Sequence, residues 1–194
     1  MATSTEEAKV PPPIGEPLMT ADQYMDLPDD GRRLELVRGK VVEMSPPNFL
    51  HGFVCSKINR ILGNFGHETG HGYALCNDTA VKTTAGPDSV RGADVSYFSF
   101  ARLPIDVTII LPEIPPDLVV ELVSPGDRRG EILTKVGEYL NVGVMVVLIV
   151  YPKSKKVVLY RGDEQAPLTY EDSDTLENLP ELPGFRCAVA DFFP

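Results

Sequence analysis

The chain has 194 residues, 43% of them hydrophobic and 24% charged, which fits one ordinary globular domain with a sizeable core and excludes a low-complexity or fibrous protein. A net charge of −10 argues against tight non-specific binding to nucleic acid, since phosphate contacts need Lys and Arg. The acid sits at the ends, however: residues 1–30 hold seven Asp/Glu against one Lys and residues 161–194 eight against two Arg, which leaves 31–160 with 15 basic and 13 acidic residues.

Residues 1–18 are expected to be a disordered or extended tail, because Pro11-Pro12-Pro13 to Pro17 carries little apolar content. Met1 to Val10 holds two Glu and no apolar core, so no secretory signal is expected. One folded domain is expected over 19–194. Its first element is a short helix from Met19 to Met25, with Thr20 as N-cap and Gln23 completing a capping box, stopped by Pro28-Asp29-Asp30-Gly31. Arg32 to Val37 and Lys40 to Met44 flank Arg38-Gly39, a hairpin signal. After Pro46-Pro47, Leu50, Val54, Ile58, Ile61, Leu62 and Phe65 recur at the spacing of one buried helical face. Gly66 to Gly72 reads as a turn region, followed by two short strands, Gly72 to Asn77 and Thr79 to Thr84.

Two apolar strands come next, Ala93 to Phe98 and Asp117 to Val123, separated by a proline-punctuated loop from Pro104 to Pro116. Ser124 suits a helix N-cap and Pro125 a first helical position. Pro125 would leave Lys135 about 15 Å along the axis, so the regular helix is instead expected to begin near Arg128 or Arg129, with Lys135 facing Glu121. Ile132, Val136, Tyr139 and Leu140 form its apolar stripe, and Asn141-Val142-Gly143 stops it. Val144 to Tyr151 and Lys156 to Tyr160 are two more strands, and Phe192-Phe193 is expected to tuck against the body. The longest apolar run, Val142 to Tyr151, is about half a bilayer span, so no transmembrane helix is expected. Cys55, Cys76 and Cys187 are odd in number and lack CxxC spacing, which points to a reducing, cytoplasmic protein without disulfides or zinc. The order of elements predicts an α/β fold with a central mixed sheet flanked by helices, the Glu121 and Val144 strands being parallel.

The chemistry centres on Asp94 and Glu121. A carboxylate buried in an apolar strand costs several kcal/mol, on the order of the penalty for an unpaired charge, unless cations or donors compensate it. Both lie in such strands, and Glu121 projects to the face opposite Leu122. Asp94, Glu121 and the backbone carbonyl of Leu122 would make a hard-oxygen site suited to Mg2+ or Mn2+. Such an ion lowers the pKa of bound water and stabilises charge on a phosphate, with the Lys135 ammonium sharing that charge. The plainer alternatives are that Asp94 and Glu121 pair with Arg91 or Lys135 for structure, that Lys135 pairs with Glu131 four residues back, that Glu35 faces solvent, and that His51 is a packed or capping histidine.

The series Leu34-Glu35-Leu36-Val37-x-Gly39-x-Val41-Val42-x-Met44-Ser45-Pro46, His51, Ala93-Asp94-Val95, Leu118-Val119-Val120-Glu121-Leu122-Val123-Ser124-Pro125, Asp127 and Lys135-x-x-x-Tyr139 resembles the Uma family. These are restriction-endonuclease-like proteins of the PD-(D/E)XK superfamily, and the resemblance covers roughly Thr20 to Tyr160. It implies a restriction-endonuclease-like core, with Asp94 as the motif aspartate and Glu121 as the motif acid. Val123 then stands where the wider superfamily has its lysine, which has migrated to Lys135 on the following helix. The resemblance also implies that Glu35 joins the acidic cluster as an accessory acid and that His51 lies on the first long helix. Two departures are Ala93 in place of the usual Pro and Val144-Met145-Val146-Val147-Leu148 in place of an aromatic segment. The resemblance implies a metal-dependent endonuclease with DNA as substrate, active as a homodimer. The alternative, favoured by the displaced lysine and the acidic ends, is an inactive nuclease-fold binding or regulatory protein.

Overall fold

The computed structural model describes residues 17–106, 108–162 and 166–194, so the tail expected over 1–18 lies almost wholly outside the described residues. Helix α1 (Ala21–Met25) carries the expected capping box between Thr20 and Gln23. Strands β1 (Leu34–Val37) and β2 (Lys40–Glu43) form the expected hairpin, with Arg38 and Gly39 both at positive φ (50° and 75°). Helix α2 (Phe49–Thr69) starts at Asn48, whose side chain accepts from the His51 N–H at 3.0 Å.

Helix α2 outruns its expected end by a full turn. The turn region expected from Gly66 to Gly72 is helical as far as Thr69: Gly66 is buried within the helix, and a Cβ there would lie 2.4 Å from the Gly72 carbonyl oxygen. The residue is small so that the next strand can pass close, and the helix ends instead at Gly70 in the left-handed region. The two expected strands after it are one, β3 (Gly72–Thr84), interrupted by a bulge at Asn77 and Asp78.

Strand β4 (Ser89–Ser99) organises the site. Strand β3 pairs antiparallel along its whole length, from Gly72↔Ser99 to Thr84↔Ser89. Its other edge is therefore shared: β1 pairs at Val90, and β5 (Leu118–Leu122) pairs at Val95, Ser96 and Tyr97. The start of β1 and the end of β5 meet across the gap between, opposite Arg91 to Asp94. The Asp94 and Glu121 strands are neighbours, as expected. Strand β5 then pairs parallel with β6 (Val146–Tyr151), and antiparallel β7 (Lys156–Arg161) and β8 (Leu168–Tyr170) complete a mixed eight-stranded sheet among the described residues.

Alternation along β5 sends its side chains to two cores. Leu118, Val120 and Leu122 pack with Val54, Ile58 and Leu62 of α2, each such side chain worth roughly 1.5–3 kcal/mol of burial. Val119 packs on the opposite face against Val136 and Tyr139 of α3 (Arg129–Asn141), which puts Glu121 on the α3 side. The fold is thus α/β, a central mixed sheet with helices on both faces. The C-terminal segment adds a small hairpin of β9 (Thr175–Glu177) and β10 (Arg186–Ala188), then a 3-10 turn that buries Phe192 and Phe193 in the α2 core. Among the described residues, no helix is long and apolar enough to cross a membrane.

Ser124 and Pro125 do not start α3. The Asp127 carboxylate accepts from the Ser124 N–H at 2.7 Å, and the Asp127 N–H donates to the Ser124 carbonyl, so these residues close a turn instead. The regular helix begins at Arg129, in the range expected from the reach argument. Lys135 is then six residues from the start, about 9 Å along the axis.

Candidate active site

The gap in the sheet gathers three glutamates and two cations. The Lys135 ammonium lies 3.0 Å from Glu35 Oε1 and 3.2 Å from Glu121 Oε2. Glu121 Oε1 accepts from the Tyr139 hydroxyl at 2.7 Å. On the far side, Arg91 Nη1 donates to Glu35 Oε2 at 2.9 Å. Its Nε and Nη2 form a fork on Glu138 at 2.7 and 3.0 Å. Lys135, Glu138 and Tyr139 share one face of α3 because they stand three and four residues apart. Glu35 is only 3% exposed, while the Lys135 side chain is 20% exposed and opens on the cleft.

Counted as ions, the cluster carries one more carboxylate than it has cations. Burial pushes Glu121 up to about 7 against the pull of Lys135, with the charges of Asp94 and Glu35 adding to the rise. Burial also opposes the charge on Glu35, but Lys135 and Arg91 outweigh it and hold Glu35 below its ordinary value. Burial opposes the charge on Lys135, but Glu121 and Glu35 outweigh it and hold it above an ordinary lysine. Burial and the neighbouring Glu121 charge keep the Tyr139 hydroxyl protonated.

Asp94 approaches from the other side of the gap. Its Oδ2 accepts from the Leu122 N–H at 2.7 Å, and its Oδ1 lies 2.9 Å from His51 Nε2. His51 Nδ1 in turn lies 3.2 Å from the Ser124 hydroxyl. The hydrogen bond to Asp94, against burial, lifts His51 above the ordinary histidine pKa. Asp94, Glu35, Glu121, Lys135 and His51 all line one open cleft of about 800 Å³.

A family model described as "Putative restriction endonuclease" matches residues 21–190. The chain belongs to the Uma2 family. A crystal structure described as a putative nuclease belonging to DUF820 from Anabaena variabilis superposes with a TM-score of 0.77 at 18% identity, covering 90% of this chain and 97% of the other. At that identity the likeness speaks for the fold, which is shared over nearly the whole of both chains. Among curated proteins none matches. Membership of Uma2 thus supports a nuclease-like function for a cleft whose geometry is already in place.

Of the residues singled out in the Uma2 pattern, Asp94, Glu121, Lys135 and Glu35 are brought together. Lys135 pairs across the sheet with Glu35 and Glu121 instead of along its helix with Glu131, and Glu35 is buried instead of facing solvent. At Leu122, the N–H is the group seen in contact, with Asp94. Arg91 supports neither Asp94 nor Glu121, but Glu35 and Glu138. Glu138 had not been foreseen; its signal was a glutamate set between Val136 and Tyr139 in an apolar stripe.

Proposed function

We propose that the cleft is a Mg2+- or Mn2+-dependent phosphodiesterase site that cuts DNA. The observation that carries this is Glu121, one of three carboxylates held by two cations, lining the same cleft as Asp94. Among the described residues no three His, Cys, Asp or Glu side chains form a ready-made metal cage. Two carboxylates fit an ion of this type all the same, because Mg2+ usually takes one or two carboxylates and fills its shell with water and substrate phosphate. Each oxygen of Asp94 and Glu121 that accepts one hydrogen bond keeps a further lone pair to offer. Such an ion, when bound, would lower the pKa of a coordinated water and draw charge from the phosphate.

The chain's own groups do the rest. The Tyr139 hydroxyl fixes one oxygen of Glu121, and the Leu122 N–H fixes one of Asp94, so both carboxylates are preorganised. Glu35, itself held by Arg91, steadies the Lys135 ammonium at the cleft wall, where it orients the attacking water or balances charge on the phosphate. Glu35 is thus an accessory acid that acts through Lys135. A homodimer presenting two such clefts, one folded domain per chain and a cytoplasmic location go with this reading. Purified protein should nick plasmid DNA with Mg2+ or Mn2+, and Asp94→Ala should lower the rate at least 100-fold, the order expected when a positioned electrostatic group is lost. Cleavage that survives Asp94→Ala would place the activity elsewhere.

A second reading, a nuclease-fold protein that binds or regulates without cutting, draws on Val123 at the usual lysine position and on a Lys135 shared between two carboxylates. The two readings divide on metal. A cation bound only by the native state raises the melting temperature in proportion to the logarithm of its excess. The wild type should show this rise with Mg2+, and Asp94→Asn should lose most of it. An unshifted wild type favours the second reading.

A further inference from the structure

Arg33 has no part in the cluster above, yet it lines the same cleft. Its Nε donates to Asp78 Oδ2 at 2.8 Å and its Nη2 to Asp78 Oδ1, while Nη1 donates to the Ser45 carbonyl at 3.0 Å. These bonds use three of the five N–H groups of the guanidinium. The two side chains are 32% and 33% exposed, so the pair stands at the cleft surface, unlike the enclosed Arg91. Asp94 and Glu35 also act on the Arg33 charge, which places it electrostatically next to the cluster.

An ordinary surface ion pair needs no special backbone, but this one has it. Asn77 and Asp78 both adopt positive φ, 71° and 55°, a conformation unfavourable for side chains with a Cβ. Between Cys76 and Thr79, β3 advances three residues while β4 covers two, from Val95 to Ala93, so the bulge lies opposite Asp94. Gly92, two residues along β4 and paired with Ala80, comes close to the bulge: an added Cβ there would lie 2.9 Å from Asp78 Cβ. A bulge, two left-handed residues and a glycine that leaves room beside Asp78 place Asp78, and with it Arg33, on the cleft wall. Backbone held away from its preferred regions is concentrated at functional sites.

We propose that Arg33 is the phosphate clamp of this cleft: Asp78 holds its fork in place, and a backbone phosphate of a bound DNA strand takes over the guanidinium. The fork of an arginine matches two phosphate oxygens as well as it matches a carboxylate. The proposal rests on the nuclease reading for its ligand, DNA, and gives that reading a binding residue besides the carboxylates and Lys135.

The alternative, that the ion pair only ties the start of the β1–β2 hairpin to β3, differs in the sign of two effects. Arg33→Ala and Asp78→Asn break the same pair, so a purely structural role moves both variants the same way. A clamp moves them apart. The test is anisotropy of a fluorescein-labelled DNA duplex at low salt in EDTA, so that no hydrolysis intervenes, with a thermal melt to confirm folding. Arg33→Ala should weaken binding about 10-fold or more, the range for a charge-assisted contact, and reduce the slope of log affinity against log salt by about one. Asp78→Asn should bind a few-fold tighter, since Asn tolerates the left-handed backbone and frees the guanidinium. Arg33→Lys should keep the salt slope and recover part of the affinity, and it serves with Asp78→Asn if the alanine variant does not fold. The clamp is overturned if both variants weaken binding, if neither changes it, or if the wild type does not bind the duplex. Arg33-dependent binding without cleavage in Mg2+ would remove the nuclease reading and leave the clamp. Cleavage with binding indifferent to Arg33 would do the reverse.

Discussion

Replacing Arg91 with Met should destabilise the fold by about 3–5 kcal/mol, the range for removing one member of a buried ion pair. Arg91 holds Glu35 with one nitrogen and Glu138 with two, and the side chains are 10%, 4% and 10% exposed. Without the guanidinium, Glu138 keeps only a 3.4 Å contact from the Thr83 hydroxyl among the described residues, and Glu35 depends on Lys135 and the Gly92 N–H. The cost is the desolvation of carboxylates that have lost their counter-charge, not the value of the lost bonds. Urea denaturation would show the midpoint falling with the slope unchanged. Arg32→Met is the matched control, because Arg32 pairs with Asp30 at the surface and should leave the midpoint unmoved. An Arg91→Met midpoint as close to wild type as that control would mean that the cluster is not closed as described.

The second large effect has the opposite sign. Glu121→Gln should stabilise the metal-free protein at pH 8, because burial disfavours the Glu121 carboxylate more than Lys135 favours it. Burial raises Glu121 from 4.5 to about 7 in the fold, so the native state favours the protonated carboxyl. Between those values the native state binds more protons than the unfolded chain, and stability falls as pH rises. The contribution of this group is complete below about pH 4.5 and lost above 7. A glutamine removes the titration while keeping an oxygen for Lys135 or Tyr139, so the Glu121→Gln profile should be flatter across that window. Residues that bind or react are often less stable than the best local choice. A wild type more stable than Glu121→Gln at pH 8 would show that Lys135 already neutralises this carboxylate.

These effects also mark how far the site could be read in advance. Asp94 and Glu121 were legible because a carboxylate in an apolar strand breaks a local pattern. Lys135 was less sharply legible, since its helical neighbour Glu131 offered an equally good local partner, and the family resemblance tipped the balance. The Arg91 network was not legible, because its bonds join residues 47 and 56 positions apart, and Lys135 reaches Glu35 across 100. Spacing reports which face a residue takes, not which distant charge will meet it there. The same holds for the backbone. The α2 stripe predicted its helix, but Gly66 looked like the start of a turn region when its smallness serves packing against Gly72. Asn77-Asp78 looked like a break between strands when it is a bulge within one. Strands β9 and β10, three residues each, are too short to show any period.

The central claim is that this cluster keeps one carboxylate charge unmatched for a divalent cation. Thermal denaturation of wild type and Glu121→Gln at pH 8, each with EDTA and with excess Mg2+, tests it directly. The wild type should melt below Glu121→Gln in EDTA and gain several degrees with Mg2+, closing or reversing the gap, while the variant hardly responds. A wild type that melts above Glu121→Gln in EDTA and does not respond to Mg2+ would contradict it.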